Sequence, residues 1–367
     1  MKFTLLKENL QKAINISQRL AIKTSTLPIL ENVLIQTEEK RIKISSTNLE
    51  MGLHIWVKGK VEKEGKLVLP VNILGSLVNT IKEERITIEA KKLDAELITQ
   101  NFNALIKGQD YNDFPIIPSL NQEHGFTIKA GVLKETLSQL ENIVTLSETY
   151  PEISGILWNF SKDAIELVAT DSFRLGRKLV HIQTHEALAG KGFILPLRTI
   201  QELIHIIIDM KEEVSVQVHF NENQALFLFE DIYFISRLLS GTYPNYNDLI
   251  PKDFTVDISI PRDELANSIK LVRVFSPKTS DVKVEIGQNT LVLSTKTQTG
   301  SSEAKIKALV KGSSAQELMF NHRYLSDGLS NIGKKQVVIH IKNEASPALF
   351  SGEGDDSYIY VLMPLKT

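Results

Sequence analysis

Apolar residues along this chain alternate between two spacings, and the alternation recurs three times. From Phe126 to Leu146 the pattern opens as a short alternating strand (Phe126, Ile128) and turns at Ala130-Gly131. It then sets Leu133, Leu137, Leu140 and Val144 three to four residues apart, the spacing that lines one face of a helix. Phe3, Leu10 and Ile14 repeat this order 123 residues earlier, and Ile258, Leu265 and Ile269 repeat it 132 residues later.

A second element recurs in step with the first. Leu67-Val-Leu-Pro70 leads into Ile73, Leu77 and Ile81; Phe193-Ile-Leu-Pro196 leads into Ile200, Leu203 and Ile207; Leu318-Met-Phe-Asn321 leads into Leu325, Leu329 and Ile332. Pro or Asn at the mouth of each run suits the first positions of a helix. Runs such as Ile42-Lys-Ile-Ser, Ile86-Thr-Ile-Glu, Val214-Ser-Val-Gln and Val337-Val-Ile-His read as half-buried strands. Each repeat is therefore strand, helix, strands, helix, strands. The expected fold class is α+β: two amphipathic helices packed on antiparallel sheet in each of three domains.

Length agrees with this division, because 367 residues shared among three repeats gives about 122 each, enough for a domain to close its own core. Tyr111-Asn-Asp-Phe-Pro115 with Pro118, and Tyr243-Pro-Asn-Tyr-Asn-Asp248 with Pro251, mark the junctions. Boundaries are placed at 1–122, 123–253 and 254–367, where Pro and Asn stop helices from continuing across.

The net charge of −2 hides a division: six helical windows together carry +6 and the rest of the chain −8. Helix-borne positive charge on an acidic protein suits contact with a phosphate backbone, although surface helices also carry Lys and Arg for solubility. With no cysteine, disulfides, thiolate metal sites and thiol nucleophiles are excluded. Early charge at Lys2 and Lys7 argues against a signal peptide and no apolar run has spanning length, so a cytoplasmic protein without membrane contact is expected.

Candidate chemistry is sparse. Gly328-Leu-Ser-Asn-Ile-Gly333-Lys334-Lys335 approaches a phosphate loop, but Lys335 stands where Ser or Thr would bind magnesium; Gly333 reads better as a helix C-cap. His181 and His185 have the spacing of a helical zinc pair but sit beside a strand-like run. Glu353, Asp355 and Asp356 read as an acidic hairpin turn. Neither a catalytic constellation nor a cofactor or metal site is expected. Ala169-Thr-Asp-Ser-Phe-Arg-Leu175 has no close counterpart at Ser45–Glu50 beyond Thr followed by Asp or Asn. In the tail, Tyr358–Leu362 reads as the last strand of the third sheet, and Met363-Pro-Leu365 beyond it as apolar enough to line a peptide groove.

Taken in order, Met1-Lys-Phe-Thr, Thr26-Leu-Pro-Ile-Leu30, Thr47-Asn-Leu-Glu-Met51, Ala169-Thr-Asp with Arg174-Leu175, Tyr243-Pro-Asn-Tyr246 and Val361-Leu-Met-Pro364 resemble the beta subunit of bacterial DNA polymerase III, the sliding clamp, over the whole chain. The resemblance implies three DNA-clamp domains per chain, two chains joined head to tail and a closed ring around duplex DNA. It implies non-specific phosphate contacts from Lys7, Lys12, Arg19, Lys23, Arg198, Lys270, Arg273 and Arg323. It also implies a peptide groove formed by Ile153, Thr170, Phe173, Arg174, Leu175, Pro244, Leu249, Asn321, Tyr324, Met363, Pro364 and Leu365, in which Thr170, Arg174 and Asn321 would hold a peptide backbone or a Gln side chain. Phe102 to Ile106 of one chain would meet Val274 and Phe275 of the other.

Partners implied are the polymerase catalytic subunit, the clamp loader, repair polymerases and other proteins carrying a clamp-binding motif; the role is a processivity factor without catalysis. The chain departs from the family at Ser172-Phe173, where Gly-His is common, at Asp248, where Arg is usual, and at its Lys366-Thr367 ending. These departures keep open a same-fold, DNA-encircling scaffold for repair or other partners. A third reading is a metal-dependent nuclease using Asp171 or the Asp355-Asp356 pair.

Overall fold

The three repeats fold with one order of elements. A computed structural model describes the chain except for residues 22–26, 39–40, 121–123, 183–187, 313–315 and 366–367. The first repeat runs β1 (Lys2–Leu6), α1 (Lys7–Leu20), a 3-10 turn (Pro28–Glu31), β2 (Asn32–Glu38), β3 (Arg41–Thr47), β4 (Met51–Lys63), β5 (Lys66–Pro70), α2 (Val71–Thr80), β6 (Arg85–Lys91), β7 (Asp94–Ile98) and β8 (Asn103–Lys107). The second runs β9 (His124–Lys129), α3 (Ala130–Glu141), a 3-10 turn (Pro151–Ile153), β10 (Gly155–Phe160), β11 (Ala164–Thr170), β12 (Arg174–His181), β13 (Gly192–Pro196), α4 (Leu197–Ile207), β14 (Ser215–Phe220), β15 (Gln224–Leu228) and β16 (Ile232–Arg237).

The third runs β17 (Val256–Pro261), α5 (Arg262–Val272), a 3-10 turn (Arg273–Phe275), β18 (Asp281–Ile286), β19 (Thr290–Thr297), β20 (Gly300–Lys307), β21 (Leu309–Gly312), β22 (Glu317–Asn321), α6 (His322–Ser330), β23 (Gln336–Ile341), β24 (Ala348–Gly352) and β25 (Asp355–Leu362). Its one departure is the break at Ala308, which divides between β20 and β21 the positions that β4 spans without interruption.

Compact packing groups residues 1–133 with 201–238, and residues 134–200 with 239–367. In the first unit all strands join one twelve-stranded sheet whose main path is β8-β7-β6-β1-β4-β16-β15-β14-β9. The second unit holds a nine-stranded sheet, β13-β10-β11-β12-β25-β24-β23-β17-β21, and a four-stranded sheet, β20-β19-β18-β22. Every pairing is antiparallel, which lets one face be apolar and the other wet.

Helices cover the apolar face because their stripes demand it. α1 buries Leu10, Ala13, Ile14, Ser17 and Leu20, and its polar side meets α2 through Gln11–Asn79 and Gln18–Asn72 side-chain bonds of 2.8 and 2.9 Å. The strand-leading and helix-lining triplets Phe3/Leu10/Ile14, Phe126/Leu133/Leu137 and Ile258/Leu265/Ile269 are all buried. Helix starts follow the sequence signals: Pro70 and Pro196 precede α2 and α4, and Asn321 Oδ1 accepts the Arg323 N–H at the mouth of α6.

Two local expectations are corrected. Ala130-Gly131 is no turn: β9 runs straight into α3, whose first free N–H groups donate to the Val214 and Glu212 carbonyls of the neighbouring strand region. Gly333 does not cap α6, which ends one turn earlier with Asn331 as C-cap. Gly328, inside that helix, is there for contact, since a Cβ on it would lie 2.4 Å from the Tyr360 ring. The acidic segment at Glu353–Asp356 does turn a hairpin, with Gly354 at φ +66°. His181 ends strand β12, and His185 lies outside the described residues.

Segments 45–50 and 169–175, dissimilar in sequence, form the same turn. Thr47 Oγ1 donates to the Met51 carbonyl at 2.7 Å, and Thr170 Oγ1 to the Arg174 carbonyl at 2.8 Å. Asn48 Oδ1 accepts from Glu50 and Met51 N–H; Asp171 Oδ1 accepts from Phe173 and Arg174 N–H. The strand that leaves each turn pairs with the last strand of the following repeat: β4 with β16, Gly52 opposite Ile235, and β12 with β25, Leu175 opposite Val361. β8 and β20 occupy the corresponding places in the first and third repeats, and each is an edge strand among the described residues.

Candidate functional site

The junction of the second and third repeats gathers most of the residues nominated for a groove. Ile153 and Leu175 belong to a buried apolar cluster with Val168, Ile194, Tyr243, Tyr246, Leu349, Ile359 and Val361. Above this floor Phe173, Pro244, Leu249 and Met363 are exposed, while Asn321, Tyr324, Pro364 and Leu365 are half-buried. Phe173 follows Ser172, which takes the left-handed conformation at φ 73°, and is 59% exposed. The tail is pinned through its backbone, with Met363 N–H donating to the Phe173 carbonyl at 2.9 Å and Leu365 N–H to the Met319 carbonyl at 2.7 Å. Met363 to Leu365 thereby bridges from the β12 turn to β22.

Polar residues here also serve the fold. The Thr170 hydroxyl is consumed inside its own turn. Arg174 is 7% exposed, and Nε donates to Asp171 at 3.0 Å, Nη1 to Asp327 at 2.5 Å and Nη2 to the Asn142 carbonyl at 2.6 Å. Its guanidinium carbon lies 4.3 Å from the Tyr324 ring centroid. Burial alone would lower the Arg174 pKa; the Tyr360 oxygen and the Asp327 and Asp171 carboxylates outweigh it and raise it. Asn321 spends its carbonyl oxygen on the α6 cap.

The floor residues Tyr243, Tyr246, Ile359 and Val361 were not nominated from sequence. Their signal was present, in the Tyr-Pro-Asn-Tyr string and in the tail's alternation. Burial raises the Tyr243 pKa, and its hydroxyl donates to the Val168 carbonyl. Tyr246 donates to Glu166, which also faces Arg177.

On the helices, Lys12, Arg198, Lys270, Arg273 and Arg323 are exposed and pair with no described acidic side chain. Burial lowers the His322 pKa most, followed by the Arg323 and Arg273 charges, with the Asp281 carboxylate opposing them. Lys7 is half-buried, and Lys23 lies outside the described residues. Arg19 already has a partner within the chain: its Nε donates at 2.8 Å to Glu202, a carboxylate 7% exposed.

On β8, strand alternation corrects one expected contact residue. Ile106 is 3% exposed and faces the core, whereas Leu105 beside it is 58% exposed; Phe102 is also outward. Val274 is exposed together with Leu271, while Phe275 lies half-buried over Gly300 at the start of β20.

For the nuclease reading, Asp171 is committed to its turn and to Arg174, and Asp355 to the Ser357 N–H of its hairpin. Among the described residues no group of three or more His, Asp or Glu is placed to hold a metal, and no helix is long and apolar enough to cross a membrane.

Three family models match the chain in succession: the N-terminal domain of the DNA polymerase III beta subunit over residues 1–118, its central domain over 127–245 and its C-terminal domain over 247–366. The beta sliding clamp of Staphylococcus aureus is 25% identical over 380 aligned residues, covering all of both chains, and that of Staphylococcus epidermidis is equally similar. Among solved structures, the Bacillus subtilis sliding clamp superposes with a TM-score of 0.95 at 22% identity, covering 100% of this chain and 99% of that one. A Pseudomonas aeruginosa sliding clamp bound to griselimycin superposes at 0.95 with 21% identity and full coverage of both chains. Repeats, fold and family matches over nearly the entire length agree: this chain belongs to the DNA polymerase III beta subunit family and is a DNA sliding clamp.

Proposed function

We propose that this clamp closes as a head-to-tail homodimer around duplex DNA and tethers polymerases through the groove at its second junction. The observation that carries the reading is the strand exchange between repeats. β4 takes β16 and β12 takes β25, so the same rule applied to β20 calls for the last strand of a following first repeat, β8 of another copy. Such a contact is heterologous and must close into a ring to avoid an open filament. Leu105 and Phe102 on one edge, and Val274 and Leu271 beside the other, supply apolar area for it. The domains that build the ring are taken as residues 1–122, 123–253 and 254–367.

Lys12, Arg198, Lys270, Arg273 and Arg323 supply mobile phosphate contacts, with Lys7 and Lys23 as further candidates. Because phosphate contacts read no sequence, the ring slides, and topology does the retaining. The protein acts in the cytoplasm as a non-catalytic processivity factor, opened by a clamp loader and shared among replicative and repair polymerases. At the groove, Ile153, Leu175 and the exposed Phe173, Leu249 and Met363 would seat aliphatic and aromatic anchors of a linear peptide. The griselimycin-bound relative supports a ligand-accepting surface in this fold.

Loading the protein onto a singly nicked circular duplex and then linearising that duplex tests the reading. Retention on the circle and loss on cutting is expected, together with a solution mass of twice 41.2 kDa. Equal retention on free-ended linear DNA would exclude encirclement. A scaffold for repair partners is the second reading, favoured by Phe173 and Asp248. It predicts retention on circles with no binding of a replicative-polymerase peptide.

A further inference from the structure

Arg174 joins two repeats from beneath the groove. Asp171 and the Asn142 carbonyl belong to the second repeat, whereas Asp327 and Tyr324 stand on α6 of the third. A guanidinium is planar, with its donors in a fixed fork, so acceptors and a ring face held by one Arg are fixed relative to each other. Asn321 and Tyr324, the groove residues of the third repeat, lie on or cap the helix that Asp327 ties down. The Thr170–Arg174 turn is the element of the second repeat that the same guanidinium holds.

We propose that Asp327 is a positioning residue for peptide recognition. It makes no contact with the peptide; it holds the Arg174 guanidinium over the Tyr324 ring and so sets the spacing between α6 and the Thr170–Arg174 turn. The inference rests on reading this groove as the peptide site. Without the Asp327 carboxylate, Arg174 keeps Asp171 and Asn142, so the fold persists. Tyr324 and α6 then have to be ordered by the peptide itself, and that ordering is subtracted from affinity.

The test uses the full chain and a fluorescein-labelled peptide bearing a Gln followed by Leu and Phe anchors, titrated by anisotropy. Leu175→Ala reports on the groove and is expected to weaken binding at least about tenfold. Asp327→Asn, which preserves shape and one acceptor, is expected to weaken it about fivefold, and Asp327→Glu to stay within about twofold of wild type. In a Tyr324→Ala background the Asp327→Asn change is expected to add nothing, because its effect passes through that ring. Retention on circular DNA and solution mass should not change.

If Leu175→Ala binds like wild type, the groove reading itself fails. If Leu175→Ala loses binding while Asp327→Asn does not, the groove stands and the positioning role is overturned. An equal loss in both Tyr324 backgrounds, or failure of Asp327→Asn to fold, also overturns it, because the claimed effect is local and acts through Tyr324.

Discussion

Leu49 and Ser172 hold the same left-handed backbone, φ 74° and 73°, at equivalent points of two turns built from different residues. The Thr before each and the Asn or Asp between them fix the hydrogen bonds, so the conformation is imposed by neighbours and not chosen by the residue. A β-branched side chain is excluded from this region far more strongly than Leu or Gly. Leu49→Val is expected to cost about 1–2 kcal/mol and Leu49→Gly to be neutral or stabilising, as read by urea unfolding. Equal stability of the Val and Gly variants would mean the turn relaxes.

Arg19 and Arg273 should separate in their effects. Removing Arg19 strands the buried Glu202 carboxylate; because Arg19 is itself partly exposed, the cost is about 1–2 kcal/mol of stability. Arg273→Ala should leave stability alone and reduce the salt dependence of DNA binding by about one counterion, measured as the slope of affinity against salt.

On β8, neighbouring residues should also separate. Leu105→Asp is expected to leave the fold intact and halve the solution mass to 41.2 kDa in light scattering. Ile106→Ala should instead lower stability by about 2–3 kcal/mol through a core cavity. Retention of the assembly by Leu105→Asp would move the interface away from this edge.

His54 provides a pH signature. Burial first, and then Lys43, push its pKa down to about 4, and its Nδ1 lies 2.8 Å from the Ser45 hydroxyl between the Trp56 and Tyr233 rings. A lowered pKa means the folded state holds fewer protons than the unfolded one, for which about 6.5 is ordinary. Stability from neutral His54 is therefore complete above about pH 6.5 and is lost as pH falls toward 4, by up to about 3 kcal/mol. His54→Gln should flatten thermal stability across that window; an unchanged slope would assign it to other groups.

Gly328 is held by contact with Tyr360, so Gly328→Ala forces a methyl to 2.4 Å from the ring. The expected cost is about 1–3 kcal/mol, with weaker peptide binding, because the Tyr360 hydroxyl donates to the Tyr324 carbonyl on the same helix. A variant as stable as wild type would show that α6 can shift outward freely.

Periodicity is a local property, and where structure is local the sequence was legible. Spacing alone placed Phe3, Leu10, Ile14 and their two sets of counterparts in the core and predicted six helices between antiparallel strands. The apolar groove residues Ile153, Leu175 and Met363 came instead from the resemblance to the sliding-clamp family, not from spacing. The turn at Ser45–Glu50 was missed because its identity resides in hydrogen bonds that Asn and Asp make equally well.

Which side of a strand faces the core, and which charge already has a partner, depends on segments distant in sequence. Alternation could not say whether Leu105 or Ile106 of an edge strand points inward, and no spacing rule links Arg19 to Glu202 across 183 residues. Likewise Arg174 reads as an available cation until the fold brings Asp327 to it from 153 residues away. By itself the sequence determined three copies of one amphipathic plan, since period and polarity act within a few residues. Only tertiary structure decided which polar groups remain for partners, because a charge or donor is spent by whatever the folded chain sets beside it.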